Sequence, residues 1–74
     1  MLKHTLLADY IQQALPEHTH GALYQRLFRC LVDAIATGVV ALGSKLPASR
    51  DLALELKVSR NTVLNAYQLL EAQG

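Results

Sequence analysis

A chain of 74 residues supports one small domain, burying about 60% of the surface that its unfolded form exposes, and leaves little room for a deep catalytic pocket. With 51% hydrophobic and 18% charged residues it is too apolar for a disordered chain, while its uncharged runs, broken by glycine, fall short of the ~20 residues of a membrane span. Seven Lys plus Arg against six Asp plus Glu leave a net charge of +1, so overall charge does not by itself argue for a polyanionic partner.

In chain order, Leu2 to Leu15 carries Leu6, Leu7, Tyr10, Ile11, Ala14 and Leu15 at spacings of three and four, which predicts a helix with one apolar stripe. Pro16 is expected to end it, and the stretch from Pro16 to Gly21 has no apolar residue and reads as a loop. A second helix is predicted from Ala22, with Leu23, Leu27, Leu31 and Ile35 at successive fours, Phe28 and Ala34 beside them, and Gly38 as its left-handed close. From Val39 to Ala48 helical periodicity is lost, and Gly43 and Pro47 suggest a connection with an extended piece near Lys45-Leu46.

Ser49 to Leu56 follows as a short helix with Leu52, Ala53 and Leu56 inward and Arg50, Asp51 and Glu55 outward. After a tight turn, Lys57-Val58-Ser59, the last helix is predicted from Arg60 to about Gln73, capped by Ser59. Val63, Ala66, Tyr67 and Leu70 share its inner face; Arg60, Asn61, Leu64, Asn65 and Gln68 share the outer one. The fold class expected is all-α, or α with a minimal β element: a small helical bundle containing a helix-turn-helix. An amino-terminal helix and linker occupy residues 1–20, and the helix-turn-helix unit occupies 21–74.

Two short helices joined by a three-residue turn, the second opening Ser-Arg-Asn-Thr, suit entry into a DNA major groove. Free amides at a helix start attract phosphate, where the Ser59 and Thr62 hydroxyls would fix register. Arg60 matches guanine and Asn61 matches adenine in two-armed hydrogen bonding, each good pair discriminating by about 1–3 kcal/mol. Residues 43–65 hold Lys45, Arg50, Lys57 and Arg60 against Asp51 and Glu55, whereas residues 1–42 balance three charges of each sign. Four phosphates neutralised would give a logarithmic salt slope of about −4.

Other readings compete. Serine followed by polar residues starts many ordinary helices, and the alternative function is a helical interaction or dimerisation module without DNA reading, using the stripe Leu6, Leu7, Tyr10 and Ile11. His18, His20 and Cys30 offer metal-ligand types, but a polar loop and a buried thiol explain them as well, and no metal site is assigned. Arg26 and Arg29 read as a solvated face or as ion-pair partners of Asp33. No nucleophile, base and orienting group occur together, so no enzyme is expected. The single cysteine and the absence of a leader fit a cytoplasmic protein.

Leu23-Tyr24, Ala34-Ile35 with Gly38, Leu46-Pro47-Ala48-Ser49-Arg50-Asp51-Leu52-Ala53, Leu56, Val58-Ser59-Arg60-Asn61-Thr62-Val63, Ala66-Tyr67-Leu70 and Gly74 form one joint pattern. Over about Ala22 to Gly74 it resembles the amino-terminal winged helix-turn-helix of the GntR family of bacterial transcriptional regulators, especially the MocR-like branch. The resemblance implies that Arg50, Ser59, Arg60, Asn61 and Thr62 touch double-stranded DNA and that Tyr24 contacts phosphate. Leu64 stands where some members carry a polar or basic side chain, a role Asn65 would take over.

Ala48 replaces a serine cap, weakening that helix start by ~1 kcal/mol unless Ser49 substitutes. Lys57 replaces a turn glycine, costing roughly 1 kcal/mol if left-handed while placing a basic group near phosphate. The family's two-stranded wing would follow Gly74, so a winged-helix type lacking its wing, and a fragment of a longer regulator, is expected. The resemblance further implies a homodimer on two half-sites, no membrane, and no cofactor in these residues; pyridoxal phosphate would belong to a carboxyl-terminal domain.

Overall fold

A computed structural model describes residues 3–40 and 46–73, with residues 3–6 described by backbone alone. Among the described residues four α-helices make up the fold: α1 (Lys3–Ala14), α2 (Leu23–Ala36), α3 (Ser49–Leu56) and α4 (Arg60–Gln73). Among the described residues there is no strand. The extended piece expected near Lys45-Leu46 falls partly outside them, since Lys45 is not described and Leu46 belongs to no regular element.

The first boundary differs from expectation. The α-helix stops at Ala14, and Leu15–Glu17 tightens into a 3₁₀ turn that contains Pro16, with the His18 amide donating to the Leu15 carbonyl at 3.1 Å. Proline lacks the amide that continuation needs, yet its fixed φ suits a tight turn.

One apolar core unites all four helices. Leu7, Ala8 and Ile11 of α1 meet Leu27, Cys30, Leu31 and Ala34 of α2, Leu52 and Ala53 of α3, and Val63 and Ala66 of α4. The α2 set recurs at steps of three, one and three, the signature of one helix face. Each fully buried leucine contributes about 1.5–3 kcal/mol, so α1 is a structural member of the bundle. Gln12 of α1 also donates from Nε2 to the Glu55 carbonyl of α3 at 3.0 Å.

The loop before α2 is clamped by side chains from that helix. Arg26 donates from Nε to the His18 carbonyl, Arg29 donates to the His20 carbonyl at 2.6 Å, and His18 Nε2 lies 3.0 Å from Asp33 Oδ2. Asp33 thus takes the loop histidine instead of the Arg29 partner that sequence spacing offered, and both guanidinium groups satisfy loop carbonyls that no secondary structure serves. Cys30 is fully buried, and desolvation, with Asp33 adding to it against Arg26, pushes its thiol up to about 11.

Gly21 is required where the loop turns into α2. Its φ is +91°, and a Cβ there would lie 2.5 Å from Gln25 Oε1, which accepts the Ala22 amide at 2.9 Å as half of a capping box. At the far end of α2, Gly38 (φ +84°) supplies the left-handed close.

Candidate nucleic-acid interface

The geometry of α3 begins with its entry. Ala48 stands at the N-cap and contributes no side-chain bond, so Ser49 does not substitute for a cap. What holds this end is Tyr67 of α4, whose hydroxyl donates to the Pro47 carbonyl at 2.7 Å. Burial pushes the Tyr67 phenol up to about 12. This bond ties the start of α3, where Arg50 stands exposed, to the helix that carries Arg60, Asn61, Thr62 and Asn65.

The turn after α3 is a Schellman motif. Val58 donates its amide to the Ala53 carbonyl at 3.1 Å and Lys57 to the Leu54 carbonyl at 3.4 Å, while half-buried Val58 packs on the core. Lys57 occupies the left-handed position at φ 58°, ψ 43°, the conformation that glycine adopts most cheaply. Its side chain is exposed.

At the start of α4, Ser59 Oγ accepts the Thr62 amide at 3.1 Å, the geometry of an N-cap. The Ser59 and Thr62 hydroxyls also bond each other at 2.8 Å. Whichever of the two donates, one hydroxyl proton of the pair is left over, so the cap is satisfied and still has a donor to offer. Arg60 and Asn61 are exposed and make no side-chain hydrogen bond or ion pair. Among the described residues the same is true of Arg50, at the start of α3, and of the Lys57 amine in the turn.

Burial of Val63 and Ala66, with Tyr67 and Leu70 half-buried against the core, aims Asn61, Asn65 and Gln68 outward. Tyr24, one residue into α2, lies across from this face: with Asn65, Gln68 and Leu69 it lines an open groove of about 370 Å³. Residues 59–62 open α4 directly after the turn, Arg50 stands at the opposite end of α3, tied to α4 through the Tyr67–Pro47 bond, and Tyr24 and Asn65 meet farther along α4. Gln68 had been placed on the outer face by periodicity but not singled out, because its nearness to Tyr24 depends on how α2 and α4 cross.

The alternative reading needed a free apolar stripe on the first helix. Leu7 is 2% exposed, Ile11 0%, and Tyr10 packs against the core, so the described part of that stripe is consumed inside the bundle. Leu6 lies outside the described side chains.

Comparison with known proteins agrees with this geometry. The family model described as bacterial regulatory proteins, gntR family, matches residues 23–74. The chain is 46% identical over 52 residues to the Exu regulon transcriptional regulator of Escherichia coli, covering 70% of this chain and 20% of that protein. It is 42% identical over 52 residues to the uncharacterized HTH-type transcriptional regulator YdeL of Bacillus subtilis, covering 70% of this chain and 11% of that protein. With the HTH-type pyridoxine biosynthesis transcriptional regulator PdxR of Corynebacterium glutamicum it shares 35% over 69 residues, covering 93% of this chain and 15% of that protein. The chain thus spans between 11% and 20% of the length of these relatives. No solved structure matches it.

Proposed function

The chain belongs to the GntR family of bacterial regulatory proteins and is a DNA-binding helix-turn-helix domain of a transcriptional regulator, and from that premise we propose which of its side chains meet the duplex. Arg60 and Asn61 read base edges in the major groove. Ser59 and Thr62, with the amides of the first turn of α4, hold a phosphate, and Arg50 grips the backbone at the start of α3. Asn65 and Tyr24 extend the contact along the duplex. The observation that carries this reading is the contrast at one helix start: the cap is closed internally by Ser59 and Thr62, while Arg60 and Asn61 next to them are exposed and unpartnered.

The test is selection of binding sites from random duplexes. Arg60→Ala is expected to cost about 1–3 kcal/mol of specific binding and to relax a single base position. Arg50→Ala weakens all duplexes nearly alike and flattens the logarithmic salt slope by about one unit. An unchanged base preference in Arg60→Ala overturns the assignment of the reading side chains.

Helix-turn-helix proteins bind two half-sites through paired domains, so a homodimer on a two-fold operator belongs to the proposal, checked by the symmetry of the selected sites. The MocR-like branch is supported by the likeness to PdxR, which reaches beyond the helix-turn-helix into the first helix. Pyridoxal phosphate would then be held in a further, carboxyl-terminal domain. Among the described residues the groove at Tyr24 is lined by neither an amine nor a cation. No helix among the described residues is long and apolar enough to cross a membrane; a cytoplasmic location is the one in which such a domain meets the chromosome.

A further inference from the structure

The groove between the start of α2 and the middle of α4 is lined by Tyr24, Asn65, Gln68 and Leu69. Tyr24, Asn65 and Gln68 together offer a phenol hydroxyl and two side-chain amides, none of which makes a hydrogen bond within the chain. Leu69 is half-buried and, with the Tyr24 ring, supplies an apolar wall. Among the described residues no lysine, arginine or carboxylate lines the groove. Neutral donors above an apolar wall match a deoxyribose with its phosphate: the sugar presents C–H groups, and the phosphate oxygens only accept.

Position along the helix points to the same ligand. Gln68 lies seven residues beyond Asn61 on one face, about 10 Å along the axis. With the tip of α4 against the bases of a groove about 8.5 Å deep, a side chain that far back stands at the level of the backbone wall.

We propose that this groove is an uncharged seat for one nucleotide of the DNA backbone beside the bases read by the tip, with Gln68 as its principal donor and Leu69 as its apolar wall. The proposal rests on the DNA-binding reading above and adds to it a contact that ion pairing does not supply. Arg50 and Lys57 contribute the salt-dependent part of affinity; the groove contributes a part that salt leaves alone.

Binding of the selected duplex and of an unrelated duplex is measured across a salt series, with circular dichroism confirming that each variant is folded. Gln68→Ala weakens both duplexes by the same factor, about three- to tenfold, without altering the salt slope. Tyr24→Phe, which keeps the ring and removes the hydroxyl, does the same more weakly. Gln68→Lys strengthens both and steepens the slope by about one unit, because the new amine meets a phosphate. A folded Gln68→Ala that binds both duplexes like the parent overturns the seat. So does one that changes base preference, which makes Gln68 a base reader, and so does a Gln68→Lys without a steeper slope. If Arg60→Ala leaves base preference intact while the Gln68 variants behave as stated, the assignment of the reading tip fails and the seat survives.

Discussion

The seam through the middle of the bundle and the tip of α4 obey opposite rules. In the seam, Leu7, Ile11, Leu27, Leu31, Leu52 and Val63 are all at most 2% exposed, and among the described residues no polar residue is buried with them. At the tip, Arg60 and Asn61 stand in solvent with no partner, and the left-handed position of the turn is filled by a lysine. The seam serves fold stability, whereas the tip leaves its donors and cations to water, and the turn beside it carries a left-handed lysine. Such a division is expected where a rigid scaffold presents a binding edge, because a donor already bonded within the chain gains little by meeting DNA.

The sharpest way to break this comparison is to empty the seam from the helix that the family model does not cover. Ile11 is fully buried in α1, outside the matched residues 23–74. Ile11→Ala should destabilise the domain by about 2–5 kcal/mol and lower its melting temperature by more than about 8 °C. DNA affinity measured well below the melting point should survive, since α1 supplies none of the proposed contacts. Thermal denaturation followed by circular dichroism checks the first part. A melting temperature within a degree or two of the parent would mean that α1 is an appendage and not part of the seam.

Tyr67 joins the two regions, and its ionisation offers a second, smaller effect. Burial holds its phenol at about 12 in the folded domain against 10.0 for the free group. A folded pKa raised above the unfolded one means that the neutral form is favoured by folding. That stability is therefore complete below pH 10 and is lost as pH rises toward 12. Tyr67→Phe should cost about 1 kcal/mol at pH 7 through the lost bond to Pro47, yet flatten the alkaline decline. Cys30, raised to about 11, leaves a residual slope of the same sign. A urea-denaturation series from pH 8 to 12 measures both, and an unchanged alkaline slope in the variant would assign the loss to other groups.

Much of this was legible in the sequence because it is local. Spacings of three and four placed Leu27, Leu31, Val63 and Ala66 inward, and Ser59 three residues before Thr62 announced a cap that the structure contains. The features that escaped depend on residues far apart in the chain. Arg29 was offered Asp33 four residues on, but the loop carbonyl of His20 lies closer to its guanidinium, and His18 takes the carboxylate. Tyr67 was read as a core ring, and nothing in its spacing revealed the bond to Pro47 twenty residues earlier. The groove at Tyr24 was invisible for the same reason, since only the crossing of α2 over α4 creates it.

Lys57 gives the smallest effect and the one that separates stability from binding most cleanly. Its left-handed backbone costs a residue with a Cβ roughly 1–2 kcal/mol, whereas glycine is indifferent to it. Against that gain, Lys57→Gly loosens the unfolded chain, which offsets about 0.4–1 kcal/mol. The net expectation is a domain more stable by about 0.5–1 kcal/mol, since both amide bonds of the Schellman motif are made by backbone and survive the change. DNA binding should move the other way: loss of an exposed amine beside the reading tip flattens the logarithmic salt slope by up to about one unit. Paired melting curves and salt titrations decide between the two roles. A variant that is stabilised but binds with an unaltered slope would show that the lysine touches no phosphate, and that the strain of the turn has no counterpart in affinity.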